Sequence, residues 1–220
     1  KLDTWPGGGL LPTGNWIPGA VYADSYSIPI SRKAFAPTLM RLDVSFWIDS
    51  LDERLLARSN GSVMSSLMLD AGRLLPVTMV KEAPQIENGS TFVPGITLIG
   101  YTVLSQSESE TRFIILWRAE HPVSADWTVF VHMLNATGDI VAQADGPPLK
   151  GDWPTSAWDL GQPVRDLRHL AYSSALPPGD YSVLVGLYDP DSGLRAAAHA
   201  RDGSEHTDRA VSLLSVRVAE

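Results

Sequence analysis

Two tryptophans and two aspartates occupy matching places in this 220-residue chain and carry the chemistry of a sugar site. Trp16 and Trp158 each lie three residues after a Pro-Thr pair, and Asp24 and Asp166 each follow eight residues later. An indole ring can stack on the apolar face of a sugar, and a carboxylate accepts hydrogen bonds from sugar hydroxyls. The candidate ligand-binding residues are therefore Trp16, Asp24, Trp153, Trp158 and Asp166.

The same residues also fit a purely structural role. Each tryptophan, assisted by Trp5 in one place and Trp153 in the other, could plug the rim of a β-sandwich with its indole N–H bonded to the backbone. Large aromatic side chains serve packing more often than ligands, and a loop that defines a fold must recur in every copy. We favour the structural interpretation, and burial of the tryptophans distinguishes the two.

An internal repeat underlies this pairing. Eight identities recur at a constant offset of 142 positions, and a period of that length is typical of a duplicated domain. If the second copy begins near Phe92, the first begins upstream of Lys1, so we expect the first copy to be incomplete. The matched residues are Asp3, Pro6, Gly9, Pro12, Thr13, Trp16, Gly19 and Asp24, then Asp145, Pro148, Gly151, Pro154, Thr155, Trp158, Gly161 and Asp166.

The elements that must position these residues have the periodicity of β-strands. Apolar and polar side chains alternate in several runs that are rich in β-branched and aromatic residues, and turns containing Gly or Pro-Gly connect them. This pattern predicts an all-β chain, an antiparallel sandwich of Greek-key or jelly-roll type. Residues 50–58 fit either a short helix or a hairpin, and the repeat favours the hairpin. The predicted strands include residues 41–48, 127–134, 181–188 and 211–218.

The polar segment 81–91 contains Pro and Gly and has no apolar period, so we predict a linker there. Residues 1–80 then form the C-terminal portion of a first sandwich, and residues 92–220 form a complete second one. Half a sandwich leaves an apolar sheet face uncovered. Upstream chain, the outside of the complete domain or a second molecule must cover it, and we predict self-association through residues 1–80.

Composition limits the partners of the chain. With 25 acidic and 17 basic residues the net charge is −8, which disfavours nucleic acid and anionic membranes as partners. The absence of cysteine excludes thiol catalysis, disulfides and thiolate metal sites. Hydrophobic residues make up 44% and charged residues 19%, as in an ordinary globular protein. No apolar run is long enough to span a bilayer.

No pattern in the chain predicts catalysis, a metal or a cofactor. The five histidines lack the paired spacing of a zinc site, and His132 is expected to be a hydrogen-bonded structural residue. Asp189 and Asp191 resemble the start of a calcium loop, but no acidic residue closes it, which favours a hairpin turn. Nucleophile elbows and phosphate-binding loops are missing from the sequence. We therefore predict a non-enzymatic region without cofactors.

Four strings carry a resemblance to a known family. They begin at Val129-Phe-Val-His, Gly138-Asp-Ile-Val, Trp153-Pro-Thr and Leu176-Pro-Pro-Gly. The chain resembles the C-terminal β-sandwich tails of bacterial multi-spanning membrane glycosyltransferases of the dolichyl-phosphate-mannose-protein mannosyltransferase type. The resemblance covers residues 92–220 well, and residues 1–80 match only the later half of the unit.

That resemblance implies an extracytoplasmic module, tethered through an upstream membrane domain of the same protein. The catalytic acids of such a transferase lie in membrane loops that this chain does not contain, so no catalytic residue is carried over. The expected function is a non-catalytic accessory module that binds a glycan, another cell-envelope ligand or the acceptor substrate. The alternative is a structural spacer or assembly domain with no ligand of its own.

Overall fold

The computed structural model describes residues 2–59, 61–76, 83–93 and 95–218. The chain divides into two compact units, Lys1–Ala36 and Pro37–Glu220. The first unit contains the 3₁₀ turns Pro6–Gly9 and Thr13–Asn15, joined and followed by irregular chain. Among the described residues, no helix is both long and apolar enough to cross a membrane.

All the strands of the described chain lie in the second unit. No described residue of that unit is α-helical. Each named pair of strands is antiparallel. The strands are β1 (Thr38–Val44), β2 (Trp47–Ile48), β3 (Glu53–Arg54), β4 (Ala57–Ser59), β5 (Ser62–Met64), β6 (Leu67–Leu74), β7 (Ile86–Phe92), β8 (Ile96–Gln106), β9 (Glu110–Ala119), β10 (Thr128–Leu134), β11 (Ile140–Gln143), β12 (Pro163–Ala171), β13 (Gly179–Tyr188), β14 (Ala198–His199) and β15 (Val211–Val218).

Two sheets form a β-sandwich, which confirms the predicted fold class. One has the strand order β12-β9-β8-β7-β14 and the other the order β11-β10-β13-β15. Their inward side chains, such as Trp117 from the first sheet and Val185 from the second, are fully buried in one common core. The alternating patterns predicted for β10, β13 and β15 supply most of the second sheet because every other residue faces that core.

Chain connections pass repeatedly from one sheet to the other, as in Greek-key sandwiches. The chain leaves β9 for β10, returns from β11 to β12, and crosses again from β12 to β13. The return from β11 to β12 is a long irregular loop that carries the second copy of the Pro-Thr-Trp motif. The fold therefore places that motif at a crossover between the two sheets.

Three two-stranded sheets precede the sandwich, pairing β1 with β6, β2 with β3, and β4 with β5. The pair of β1 and β6, which the chain joins through the other two pairs, is called a hairpin below. The predicted strand 41–48 is divided into β1 and β2 by a break at Ser45 and Phe46. The 3₁₀ turn Asp49–Leu51 connects β2 to β3, and Trp47 pairs with Arg54. This pairing confirms a hairpin at this position instead of a helix.

The linker predicted over residues 81–91 is wrong for the part that the structure describes from Ile86 onward. That part is β7, which pairs with β8 and contributes the buried Phe92 to the core. A register shift between Glu87 and Ser90 accommodates Asn88 and Gly89, and Gly89 has a φ of 89°. The Asn-Gly pair predicts a turn, but here it forms a bulge inside a strand. Residues 81 and 82 lie outside the described chain.

Candidate functional site

The crossover loop between β11 and β12, here called the second motif loop (residues 144–162), is held by its own backbone and by Trp158. It contains the 3₁₀ turns Pro148–Gly151 and Thr155–Ala157. The indole Nε1 of Trp158 donates to the carbonyl oxygen of Trp153 at 3.0 Å, and its backbone N–H donates to Thr155 at 3.2 Å. The indole N–H therefore closes the loop on itself.

Thr155 ties this loop to the chain before β10. Its hydroxyl donates to the carbonyl oxygen of Ala125 at 2.7 Å and accepts from the backbone N–H of Trp127 at 2.9 Å. The side chain of Asp126 accepts from the N–H of Ser156 at 3.1 Å. The bonds of Thr155 satisfy its buried hydroxyl, which would otherwise destabilise the folded state.

Asp166 and Arg168 form a buried ion pair beneath the same loop. Both point inward from β12, where every second residue is buried. One Asp166 oxygen accepts from Leu149 N at 3.1 Å, and the other accepts from Arg168 Nε at 2.7 Å. Arg168 also donates to the carbonyl oxygen of Gly146 at 3.1 Å. Burial raises the pKa of Asp166, while the guanidinium of Arg168 acts against that rise.

Arg168 is a residue of this site that the sequence pattern leaves without a role. The same pattern predicts Asp166 as a ligand residue. The signal available was their spacing, because residues two apart on a strand share one face. An aspartate and an arginine at that spacing on an otherwise apolar face indicate a buried pair that binds loop backbone.

Burial corrects the sugar-binding hypothesis for the second motif loop. The exposed fractions are 2% for Trp153, 7% for Trp158 and 1% for Asp166. A sugar platform needs an open ring face, and these indoles pack in the core of the sandwich instead. These three residues have structural roles because the crossover loop folds over them.

The first motif loop (residues 5–24) repeats the same contacts in the first unit. Trp16 Nε1 donates to the carbonyl oxygen of Leu11 at 3.2 Å, five residues earlier, as Trp158 does to Trp153. Gly7 N donates to Asp24 at 2.5 Å, which matches the bond between Leu149 and Asp166. The backbone N–H of Trp16 also donates to Thr13, at 3.1 Å. The motif therefore builds the same local structure twice, whereas duplication of the whole domain stays a prediction.

Trp16 and Asp24 are more accessible than their counterparts. Trp16 is half-buried and Asp24 is exposed. Tyr22 stacks on Trp16 with ring centroids 5.0 Å apart and an angle of 13° between the planes, and so occupies one indole face. The hydroxyl of Tyr26 and then the N–H of Gly7 lower the pKa of Asp24 by bonding its carboxylate. Binding through these two residues stays a prediction.

The second motif loop also binds the hairpin formed by β1 and β6. Arg73, on β6, donates to both carboxylate oxygens of Asp159 at 2.9 Å and to the carbonyl oxygen of Ala157 at 2.6 Å. Its guanidinium lies 4.5 Å from the ring centroid of Trp153. Leu39 N, on β1, donates to the carbonyl oxygen of Asp152 at 3.0 Å. The loop is thus a docking platform for another part of the same chain.

Other residues considered from the sequence have local partners. His132 Nε2 lies 3.2 Å from the carboxylate of Asp145, so His132 is hydrogen-bonded as predicted. Asp189 accepts from the N–H of Asp191 at 2.9 Å within the turn between β13 and β14, and this bond lowers the pKa of Asp189. The structure brings no group of three or more metal-ligating side chains together among the described residues.

An open cleft of about 530 Å³ lies beside the segment that precedes β15. Its basic residues already have partners within the fold. Arg195 covers the ring of Phe130 at 4.3 Å and donates to the carbonyl oxygen of Asp208 at 3.0 Å, while Arg209 donates to the carbonyl oxygen of Arg195 at 2.9 Å. These contacts fix the loop around the cleft.

Comparison with known proteins identifies no family for this chain. No family description matches it, and no curated protein matches its sequence. Among solved structures it is similar to a beta-glucuronidase from glycoside hydrolase family 2, with 13% sequence identity and a TM-score of 0.33. The similarity covers 46% of this chain and 11% of that enzyme. A likeness at this level carries no argument about function.

Proposed function

We propose that this chain is a non-catalytic accessory module of a membrane glycosyltransferase-like protein, held outside the membrane, and that it serves assembly. The resemblance of residues 92–220 to the tails of such proteins supports the attachment. The burial of Trp158 is the observation that carries the assembly role, because its indole N–H is used to close a loop. An indole N–H that is bonded to the loop backbone cannot donate to a sugar hydroxyl.

The contacts of Arg73 support the same role. An arginine on one hairpin binds Asp159, Ala157 and Trp153 of the motif loop, so successive parts of the chain are connected by charge-assisted bonds and ring contact. Connections of this kind suit a spacer that keeps neighbouring domains at a fixed separation. The anionic surface, with a net charge of −8, fits a module that stays clear of anionic lipid headgroups.

A screen of the 220-residue chain against an array of cell-envelope glycans tests the assembly role. We expect no saturable binding and no hydrolysis of nitrophenyl glycosides above the buffer blank. If a glycan binds, and Trp158→Phe leaves that binding intact while Trp16→Ala abolishes it, the glycan-binding site lies in the first motif loop. Turnover of any glycoside by the purified chain would refute the non-catalytic assignment.

Glycan binding by the first motif loop is the second candidate. The stacked pair of Trp16 and Tyr22 and the 66% exposure of Trp5 favour it, because aromatic faces at a surface can bind sugar rings. Asp24, in the same loop, has an exposed carboxylate that accepts from Gly7 N. Tryptophan fluorescence titration with the same glycans, on wild type and on Trp5→Ala, would detect such a site.

A further inference from the structure

The hairpin of β1 and β6 has two unlike faces. Cross-strand pairs place Leu42 opposite Leu69 and Val44 opposite Leu67, so these four residues share one side. We call this side, together with Met40, the apolar face. The opposite side carries Leu39 and Arg73, which contact the second motif loop. Leu39 packs against the core of the sandwich, whereas Met68, further along the same side, is 58% exposed. The hairpin therefore docks on the sandwich by one end, where Met40 is half-buried, and the other four residues of the apolar face lie beyond that end.

The register of this hairpin recurs in the sandwich, where β13 pairs with β15. Each ladder has one register shift, after Met40 and Gly72 in the hairpin and after Val183 and Leu214 in the sandwich. When the shifts are superposed, the pairs from Thr38 to Leu42 on β1 coincide with those from Tyr181 to Val185 on β13. Leu42 and Leu69 correspond to Val185 and Val211, and Val44 corresponds to Leu187.

The matching residues have opposite environments. Val183, Val185 and Leu187 are fully buried and Val211 is 1% exposed, because the five-stranded sheet covers them. On the hairpin, Leu42 is 37% exposed, Val44 45%, Leu67 45% and Leu69 41%. The apolar face thus has the side chains and register of a sandwich interior without its cover in the described chain.

The sandwich also shows which strand is missing beside the hairpin. β13 pairs with β15 on one side and with β10 on the other, whereas β1 pairs among the described strands with β6 alone. Leu39 N already donates to the carbonyl oxygen of Asp152 on the open side of β1. Because backbone N–H groups alternate in direction along a strand, those of Arg41 and Asp43 point to the same side. Among the described residues, no backbone hydrogen bond occupies that edge from Met40 onward.

We propose that the open edge of β1 binds an antiparallel donor strand whose sequence pattern is that of β10. In the sandwich, Met133, Val131 and Val129 lie opposite Val183, Val185 and Leu187. The donor therefore places three apolar side chains, two residues apart, opposite Met40, Leu42 and Val44. Main-chain hydrogen bonds supply affinity in this mode of binding, and the alternate side chains supply specificity.

This site is independent of the attachment to a glycosyltransferase, because it follows from strand register and exposure alone. It gives the hairpin a defined partner, an antiparallel strand with the apolar pattern of β10, in place of unspecific apolar contact. An exposed apolar sheet face beside an unpaired edge is otherwise a site of aggregation. The proposal therefore concerns a complementary strand and not a small ligand.

A labelled peptide with the sequence of residues 127–133, flanked by lysines for solubility, tests the site on the full 220-residue chain. We expect a saturable rise in fluorescence anisotropy. Leu42→Asp should weaken binding at least about tenfold, because a carboxylate replaces an apolar contact at the centre of the face. Asp70→Ser, on the opposite side of the same hairpin, should bind like wild type. A peptide with Val131→Asp should not compete.

The remaining outcomes overturn the proposal. Binding that Leu42→Asp leaves unchanged would mean that the peptide exchanges into the sandwich beside β13. The absence of saturable binding up to about 1 mM peptide would mean that β1 takes no donor strand of this kind. Sedimentation of the wild type as a dimer that Leu42→Asp dissociates would mean that a second copy covers the face instead. Circular dichroism of both variants verifies that they are folded.

Discussion

Arg73 and Asp159 lie 86 residues apart in sequence and meet through two hydrogen bonds of 2.9 Å. The planar fork of the guanidinium matches the carboxylate, and its face lies over the indole of Trp153. Arg73 thus joins the hairpin of β1 and β6 to the loop that Trp158 closes. Arg73 therefore covers part of the Trp153 ring, which is 2% exposed.

Removal of this arginine should loosen the hairpin more than the sandwich. Arg73→Ala is expected to destabilise the hairpin by about 1–2 kcal/mol, because the side chains of Arg73 and Asp159 are 39% and 45% exposed and solvent weakens their attraction. Hydrogen exchange should show faster exchange in β1 and β6 and little change in β13. Arg217→Ala, which removes an exposed pair with Asp180 at 3.8 Å, serves as the matched control and should have no measurable effect.

The two motif tryptophans should differ in their contribution to stability. Trp158→Ala is expected to lower the free energy of unfolding by about 3–5 kcal/mol, the range for deletion of a buried large aromatic side chain. Trp16→Ala should cost clearly less because Trp16 is half-buried. Urea denaturation followed by circular dichroism measures both. Equal free energies of unfolding for Trp158→Ala and wild type would contradict the structural role.

The buried ion pair beneath the motif loop can be tested by removing one partner or both. Asp166→Asn should destabilise the fold by about 3–5 kcal/mol because it leaves the Arg168 guanidinium buried without a compensating charge. The double variant Asp166→Asn with Arg168→Met should lose less than the single variant. A double variant that is less stable than Asp166→Asn would show that Arg168 stabilises the loop mainly through its backbone bonds.

Strand periodicity predicted the sandwich well because its sheets have one buried face each. The limits of β10, β13 and β15 agree with the sequence pattern within two residues. β10 departs from simple alternation because Phe130, on its other face, is also buried, beneath Arg195. The bulge at Asn88 and Gly89 could not be recognised, since the same dipeptide is typical of turns. The segment that contains the bulge is a strand because it pairs with β8, and local sequence does not encode that contact.

The candidate site was less predictable than the fold. The repeat indicates Trp158 and Asp166 as candidate ligand residues, and the structure shows both bonded to the backbone of the motif loop. Their burial depends on the loop folding over them, and residue type alone does not indicate on which side of a strand or loop a tryptophan lies. The contact between Arg73 and Asp159 is harder still to predict, since no residue near either of them in sequence indicates the other.

The pKa of Asp24 is depressed in the folded chain, chiefly by the hydroxyl of Tyr26. A carboxyl with a depressed folded pKa stabilises the fold above its unfolded pKa of about 3.9, and that contribution is lost as the pH falls through the folded pKa. Carboxyl NMR titration should therefore give Asp24 a midpoint below that of an unperturbed aspartate. Tyr26→Phe should return the midpoint toward the ordinary value, and an unchanged midpoint would exclude the hydroxyl as the cause.

The two motif loops make the same left-handed turn with different residues, and the difference predicts a stabilising substitution. Gly7 and Gly8 have φ of 59° and 63°, whereas Leu149 and Lys150 have φ of 51° and 58° in the matching turn. Side chains with a Cβ are strained in this region, so Lys150→Gly is expected to stabilise the fold by up to about 1 kcal/mol.

Lys150→Ala is the matched control, since it removes the charged chain but keeps the Cβ, and it should give no gain in stability. The reciprocal change in the first motif loop, Gly8→Ala, should destabilise by about 1 kcal/mol even though a Cβ there would meet no atom within 4 Å, because the left-handed backbone alone disfavours alanine. Urea denaturation of the three variants decides the matter. A loss of stability in Lys150→Gly would mean that Lys150 makes a contribution larger than the strain it causes.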